Sequence, residues 1–377
     1  MLPLASYVLD VWSRLLGCLA LAGPHWNRKA AVMSIKLRNG QSALLLLCLV
    51  CIGALAPQAH AANCTTQAQM TPADRSALAN AARAMVAQVQ NGDVQGLKAS
   101  TLPAVAADFS GIAASVQSLQ PLVHSATITV DALYDLDASG EAQGAAQTQF
   151  FCGSPVVVLT FANLPPGKYA LAVVHATGVQ QPQQVALILA QNLPTQWMLA
   201  GINAKPMIEA GHDGLWYWVS ARKYAQMNGK WVAFFYYRLA ADLLDPLDNL
   251  SSPNLQKLQH ESDEVRPTDF PGDKPVTFNA NGSVFQVTAI DTSTAFGGLD
   301  LDVHYTPDPS QASQLRDPPS ARQQVVGVMT ALLTAHPELH SAFHGIWVHA
   351  DQGNASLFAL ELPMDQISGG TTAPVVR

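Results

Sequence analysis

Charge is scarce in this chain. Only 12% of its 377 residues are Asp, Glu, Lys or Arg, and the 20 bases are outnumbered by 27 acids. The net charge of −7 excludes the broad basic surface on which nucleic-acid binding rests. Cysteine is scarce too, with five in all. A disulfide-dense mini-protein is excluded, because a chain of this length buries large cores without staples. The 49% hydrophobic content excludes a long disordered chain, which would be poor in apolar residues. There is no G-x-S-x-G, no Walker loop, no dinucleotide fingerprint and no H-E-x-x-H, so the common motif-bearing enzyme classes leave no signature here. No Ser/His/Asp constellation can be placed by spacing.

What is present begins with a leader. Residues 1–61 hold five bases (Arg14, Arg28, Lys29, Lys36, Arg38) and one acid, Asp10. Met33 opens a self-contained pattern: Lys36 and Arg38 are basic, residues 43–56 are an apolar run of 14, Pro57 breaks it, and Ala59-His60-Ala61 offers an A-x-A cleavage site. This is the anatomy of a secretory signal peptide. The run falls short of the about 20 residues a spanning helix needs. An uncleaved anchor, extended by the apolar stretch 8–23, is the alternative, and residues 1–32 read as an upstream extension. No cysteine sits in a lipobox-like context.

Removing the leader's five bases and one acid from the totals leaves 15 bases and 26 acids in residues 62–377, a net charge of −11. Such a chain has no polybasic surface for anionic lipid. Cys18, Cys48 and Cys51 leave with the leader. Cys64 and Cys152 remain, an even pair in a chain bound for an oxidising compartment, and a disulfide between them is expected. Two buried free thiols are the alternative.

The period of the apolar residues then predicts the elements. Thr71 is an N-cap with Pro72 in the first turn and Asp74 three places on. Leu78, Ala82, Met85 and Val89 draw one helical stripe that Asn91-Gly92 ends. Helical spacing returns over 103–123. From 126 to 136 the period becomes two, a half-buried strand. A loose Gly/Ala/Gln stretch follows, then strands at 156–161, 168–176, 185–190 and 196–202, read as one antiparallel meander. Helices followed by antiparallel strands predict an α+β class.

Two or three helices followed by a long bent meander ending in Trp197-x-Leu199-Ala200-Gly201 resemble nuclear-transport-factor-2-like domains. The resemblance covers 62–206 and implies a cone-shaped α+β fold, shared by isomerases, cyclases and non-catalytic binding modules. Residues 207–246 read as an αα-hairpin split at Asn228-Gly229. Ala221 and Tyr224, then Ala233, Tyr237 and Ala240, resemble one tetratricopeptide-type hairpin, with Trp216 or Tyr217 as the first aromatic and Pro246 one place late. One hairpin cannot bury its face alone, so it is expected to pack on a neighbour, the meander domain first.

Residues 247–275, with four prolines and the acids Glu261, Asp263 and Glu264, read as a linker with room for a short helix at 254–260. A second α+β domain, 276–364, follows in the order ββ-β-α-ββ. It holds a hairpin signal at Asn281-Gly282, a strand at 299–305, an amphipathic helix at 320–335 ending before Pro337, and a last hairpin around 351–354. Residues 365–377 read as a disordered tail.

Five of the eleven histidines (His304, His336, His340, His344, His349) fall in this last domain. Strand parity sets His344 and His349 on opposite faces, and His340 and His344 are far apart at strand rise. His336 suits the negative end of a helix as a cation. Asp300 and Asp302 beside His304 lack the glycine-centred loop of a calcium site. No metal is therefore expected. Tyr169 and His175, which share a face with Leu171 and Val173, are the candidate pocket residues, with core or rim packing as the alternative. The aromatics Trp216, Tyr217, Trp218 and Tyr236 are the candidate binding surface, with an inter-domain core as the alternative.

The expectation is a secreted or periplasmic, non-catalytic binding or scaffolding protein without a cofactor. Its partner would be a protein or a small molecule, with no nucleic acid and no membrane after leader cleavage. A small-molecule isomerase or cyclase is the first alternative, and a membrane-anchored extracytoplasmic protein the second. The leader reading predicts that the exported protein starts at Ala62. Edman degradation of native material that yields Met1 or Met33 as the first residue overturns it.

Overall fold

The computed structural model describes residues 62–367, apart from Thr195, Asn281 and Gln311. The expected leader and residues 368–377 of the expected tail lie outside the described residues. The described part is α+β, with several antiparallel-rich sheets.

The chain opens with a short strand, β1 (Asn63–Thr66), that sequence periodicity did not reveal. Helix α1 (Pro72–Gln90) starts as expected: the Thr71 hydroxyl accepts from the Asp74 amide at 3.2 Å, satisfying one of the free N–H groups of the first turn. Leu78, Ala82, Met85, Val86 and Val89 form its buried stripe. Gly92, at φ +66°, turns the chain after the cap, a conformation that glycine takes without strain. Three further helices follow: α2 (Val94–Ala99), α3 (Pro103–Ala106) and α4 (Ser110–Val123). In the six residues of α2 only Leu97 is buried, too little to show a period.

Strand β2 (Thr127–Asp137) breaks its own alternation. A bulge between Val130 and Ala132 in its pairing with β5 inserts Asp131 as an extra residue. Side chains beyond a bulge switch faces. Ile128, Val130 and Leu133 therefore pack with the helices, while Ala132, Tyr134 and Leu136 pack on the other side. The expected single apolar face over 126–136 is corrected accordingly.

Next come β3 (Gln147–Cys152), β4 (Val157–Ala162), β5 (Lys168–Thr177), β6 (Gln183–Leu193) and β7 (Gln196–Pro206). They do not form one meander. One sheet has the order β1-β2-β5-β6-β7, and β4 instead sits between β3 and β10 in a separate three-stranded sheet. The reason is local. Gly153 at φ +70° lets β3 and β4 close their own hairpin, and Phe150, Cys152 and Leu159 then turn inward. Strand β5 is buried on both faces, with Ala170, Ala172, Val174 and Ala176 toward the helices and Tyr169, Leu171 and Val173 toward the small sheet. The N-terminal half thus has three layers. The Cys64–Cys152 disulfide, with a Cα–Cα distance of 5.1 Å, fastens the edge strand β1 to β3 across two of them.

A two-residue ladder, β8 (Ile208–Glu209) and β9 (His212–Asp213), leads into helix α5 (Gly214–Gln226), and α6 (Lys230–Leu244) returns beside it. The supposed linker is structured: β10 (Leu250–Ser251) joins the small sheet, and α7 (Pro253–Val265) packs on α6. The Ser252 hydroxyl caps α7 by accepting from the Leu255 amide. The sheet order β11 (Val276–Ala280), β12 (Ser283–Ser293), β13 (Asp300–Thr306), β14 (Gly345–Gln352), β15 (Ala355–Pro363) follows the expected ββ-β-α-ββ succession. Helix α8 (Pro318–Ala335) and the short α9 (Leu339–Ala342) connect β13 to β14, which makes that pair parallel. A 3-10 turn, Met364–Gln366, carries the chain from the last strand into the expected tail, of whose described residues Ile367 is buried.

The αα-hairpin packs differently from expectation. Tyr217, Ala221, Trp231, Phe235, Tyr236 and Leu243 share one continuous core with Phe278, Val303, Met329 and Val348 of the C-terminal sheet and helix. The hairpin's main partner is therefore the C-terminal domain, because α6 is too apolar on too many sides for the meander alone to cover.

The disulfide joins residues 88 apart, which in the chain-entropy model is worth about 4–5 kcal/mol. The Cys64→Ser/Cys152→Ser protein is expected to lose stability on that order in urea unfolding with an unchanged near-native fold. Equal unfolding midpoints with and without the bond would show that it constrains nothing.

Candidate functional site

The candidate pocket residues do not meet. Tyr169 is buried and its hydroxyl donates to the Pro165 carbonyl at 2.8 Å, a structural bond that pins the preceding turn. His175, six residues along β5, lies about 20 Å away at strand rise. Only His175 of the two lines the main cavity, and the expected pocket around both residues is corrected to one around His175.

The candidate binding surface is also revised. Tyr217 is 1% exposed and donates to the Glu209 carbonyl at 2.9 Å. Tyr236 is 5% exposed and donates to the Ala342 carbonyl at 3.0 Å. Both face the core shared with the C-terminal domain, and burial pushes both phenols well above the ordinary tyrosine range. Trp218 is half-buried. Of the four, Trp216 alone is substantially exposed, at 40%, with its ring stacked on His212 at 3.6 Å. His336, the C-cap residue of α8, is buried: its ring stacks on Trp231 at 4.2 Å and its Nε2 lies 3.1 Å from Asp269, and burial pushes its imidazole pKa down.

The cavity that His175 does line has a volume of about 550 Å³. Strands β2, β4 and β5 wall one side, α5 and the end of α6 another, and β10 with the start of α7 a third. Val157, Val173, Leu243, Leu244, Leu250 and Leu255 make it chiefly apolar. Several of its polar groups are already engaged. Gln184 donates to the Leu243 carbonyl at 3.0 Å, and Asp213 caps α5 by accepting from the Trp216 amide at 2.7 Å. At its polar edge His175 lies 3.9 Å from Asp131, the bulge residue of β2, and Tyr134 and Asn254 line the cavity as well. Burial, and then the charge of Asp131, raises the pKa of the neighbouring Tyr134.

Trp218 in the cavity wall is held from behind. Glu261 of α7 accepts from Trp218 Nε1 and Arg222 Nε on one oxygen and from Arg222 Nη2 on the other, each at 2.7 Å. Arg222 also lies over the Trp218 ring at 4.6 Å. The acidic run expected to be linker charge is thus a clamp between α5 and α7.

A second polar group lies on the C-terminal sheet. Leu301, Val303, Tyr305, Ile346, Val348 and Ala350 fill the core side. Alternation sends Asp300, Asp302 and His304 of β13, and Trp347, His349 and Asp351 of β14, to the opposite face. Parallel register sets His304 directly beside His349, with their rings stacked at 4.6 Å. Asp302 Oδ1 lies 3.2 Å from His349 Nε2 and 3.5 Å from His304 Nε2, and Asp351 Oδ2 lies 2.6 Å from His304 Nδ1. Burial raises the pKa of Asp302 and lowers that of His349. Along the same face, His344 Nδ1 meets the fully buried Asp300 at 2.8 Å, and Glu361 stands close by. Both three-residue groups, Asp302-His304-His349 and Asp300-His344-Glu361, bring potential metal ligands within 4.8 Å of one another.

Sequence reasoning missed these groups because it compared histidines within one segment. The readable signal was Asp300-x-Asp302-x-His304 on one strand and Trp347-x-His349-x-Asp351 on another, on strands that a helical crossover lays side by side. No family model, no curated protein and no solved structure matches the chain.

Burial acts to raise the Glu261 pKa, but the hydrogen bonds from Arg222 and Trp218 outweigh it and hold the carboxyl below the ordinary glutamate range. A pKa depressed on folding adds stability above the unfolded pKa, and that stability is lost as pH falls through the folded value. Glu261→Gln is expected to cost about 1–3 kcal/mol at pH 7. The deficit should shrink as urea unfolding is repeated below about pH 4. A deficit independent of pH would remove the charge from this account.

Proposed function

We propose that this is an exported, non-catalytic binding protein whose cavity takes a small, largely apolar molecule, with His175 and Asp131 meeting the ligand's polar end. The observation that carries the reading is the cavity: about 550 Å³, chiefly apolar, with His175 and Asp131 among its few polar groups. Binding pockets for small molecules are commonly about 300–1,000 Å³, apolar, and marked by a few placed polar groups. The resemblance of 62–206 to nuclear-transport-factor-2-like domains rests on a single meander that is divided here between two sheets, so the reading stands on the cavity and not on that resemblance. The single hairpin serves in this reading as a wall of the cavity rather than as a repeat array.

Export is supported by the leader pattern and by the Cys64–Cys152 disulfide, a bond at home in oxidising compartments. Among the described residues no helix is long and apolar enough to cross a membrane.

An isomerase- or cyclase-type activity would use His175 as general base. Its partner Asp131 is 55% exposed and 3.9 Å away. General-base chemistry draws on groups in hydrogen-bond reach, with pKa values tuned by a closed site, so this geometry favours binding.

Nile Red, an uncharged apolar dye whose emission shifts on leaving water, tests the cavity. One equivalent is expected to bind. Ala132→Trp, which fills the space beside His175, should weaken that binding at least tenfold, a change of about 1.4 kcal/mol, without lowering the unfolding midpoint. Undiminished dye binding in this variant would place the apolar site elsewhere and remove the reading.

A further inference from the structure

We propose that Asp302, His304 and His349 form a site for one divalent transition-metal ion of the zinc class. The site lies on the C-terminal sheet, shares no residue with the cavity and is independent of the binding function assigned there.

Two of the three spacings between the ligand atoms are those such an ion demands, and all three atoms lie within 4.8 Å of one another. At metal–ligand distances of about 2.0–2.1 Å and tetrahedral angles, neighbouring donor atoms stand about 3.3 Å apart. Asp302 Oδ1 is 3.2 Å from His349 Nε2 and 3.5 Å from His304 Nε2. Proximity of this order usually signals a hydrogen bond, and here it does not. Asp302 Oδ1 and His349 Nε2 are both cut off from solvent, and neither makes a hydrogen bond. Two buried polar atoms that approach without pointing at one another leave a desolvation cost unrecovered. A cation seated between them and His304 Nε2 would recover it.

The surroundings supply His304 with the support that a histidine ligand requires. A metal-binding imidazole presents one nitrogen to the ion and donates its other N–H to a carboxylate or carbonyl, which sets the tautomer. Asp351 meets His304 Nδ1 at 2.6 Å, so the Nε2 lone pair is the one turned toward Asp302. Backbone register sets His304 opposite His349 with their rings stacked face to face at 4.6 Å and 12° between planes, so one ring turns about its side-chain bonds to aim both lone pairs at the ion. Trp347 stands against His349 at 4.3 Å and limits the ring's freedom.

The donor set decides the class of ion. Two imidazoles and one carboxylate suit zinc and its first-row neighbours, whereas magnesium and calcium take shells of oxygen. Three protein ligands leave a coordination position open, as in zinc sites that bind a water or an exchangeable ligand. The neighbouring Asp300-His344-Glu361 group is poorer. It offers one imidazole, whose Nδ1 is already engaged by Asp300 at 2.8 Å.

Calorimetry on the full, tag-free chain after chelator dialysis tests the proposal, with zinc chloride as titrant and magnesium and calcium chloride as comparison arms. About one zinc per chain is expected, with no comparable binding of magnesium or calcium. His349→Ala or His304→Gln should abolish the tight phase. Asp351→Asn should weaken it about 10–100-fold, as loss of a ligand's carboxylate partner does. His344→Ala should leave it intact. Two further readouts stand if a variant folds poorly: zinc should raise the wild-type unfolding midpoint, and cobalt should give the intense visible bands of a four-coordinate ion. No stoichiometric zinc in the wild type, or binding lost with His344 and retained without His304 and His349, overturns the assignment.

Discussion

A helix that is apolar over most of its circumference has to be covered over most of it, and α6 is such a helix, with only the strip of Lys230, Arg238 and Asp242 turned toward solvent. Trp231, Phe234, Phe235, Tyr236, Tyr237, Leu239 and Leu243 are all buried. Each side meets a different partner. Tyr236 meets Tyr217 and Tyr224 of α5 edge-on at 5.2 and 5.5 Å. Phe235 meets Phe343 beyond α8, and Trp231 meets Phe278 of β11. Phe270, in the segment after α7, lies 4.9 Å from Phe234. At the far end, the Leu243 carbonyl accepts from Gln184 of β6. Pairs of this kind add about 0.5–1.5 kcal/mol each beyond area burial. The interactions radiating from α6 therefore position the C-terminal sheet, α7 and the meander around one axle. The cavity sits where α6 ends, and its Leu243 and Leu244 are that end.

This constraint explains what could be read in the sequence and what could not. Local features were legible where a physical rule acts over a few residues. The Thr71 cap, the stripe on α1, the two-residue turn before β12 and the helix ending at His336 are of that kind. The disulfide was legible from compartment and parity of count. Partnership was less so. The order of strands carried no sign that β4 would desert the meander, because a hairpin's choice between two sheets depends on which apolar face is already taken. The bulge at Asp131 is one inserted residue, invisible to a period-two count, yet it flips half of β2. The prolines and acids of 247–275 were read as solvated linker. Glu261 is instead bound by Arg222 and Trp218, residues 39 and 43 positions away.

The candidate residues fared according to how far their placement depended on such pairings. His175 reaches a cavity because its own strand carries it there. Tyr169, on the same strand and face, ends under a turn. The aromatics of α5 and α6 divided between core and surface along a helical wheel whose buried side could not be known before its neighbours were. On the C-terminal sheet the alternation of Asp300, Asp302 and His304 was plain. What gives it meaning is the parallel neighbour, which repeats the polar alternation at Trp347, His349 and Asp351. One sheet thus carries a conventional apolar core on one face and a line of ionisable groups on the other.

The bridge between β1 and β3 carries a consequence for how the chain matures. Synthesis runs from the amino end, so the Cys64 thiol emerges while its mate is still 88 residues from being made. Helices α1 to α4 and strand β2 lie wholly inside that interval. The oxidation step must follow their synthesis, and the ring it closes therefore contains the whole run of N-terminal helices. The cross-link can therefore close before β5 to β7, the strands on which those helices pack, have been made, and the rest of the sheet is then laid against a ring that is already joined.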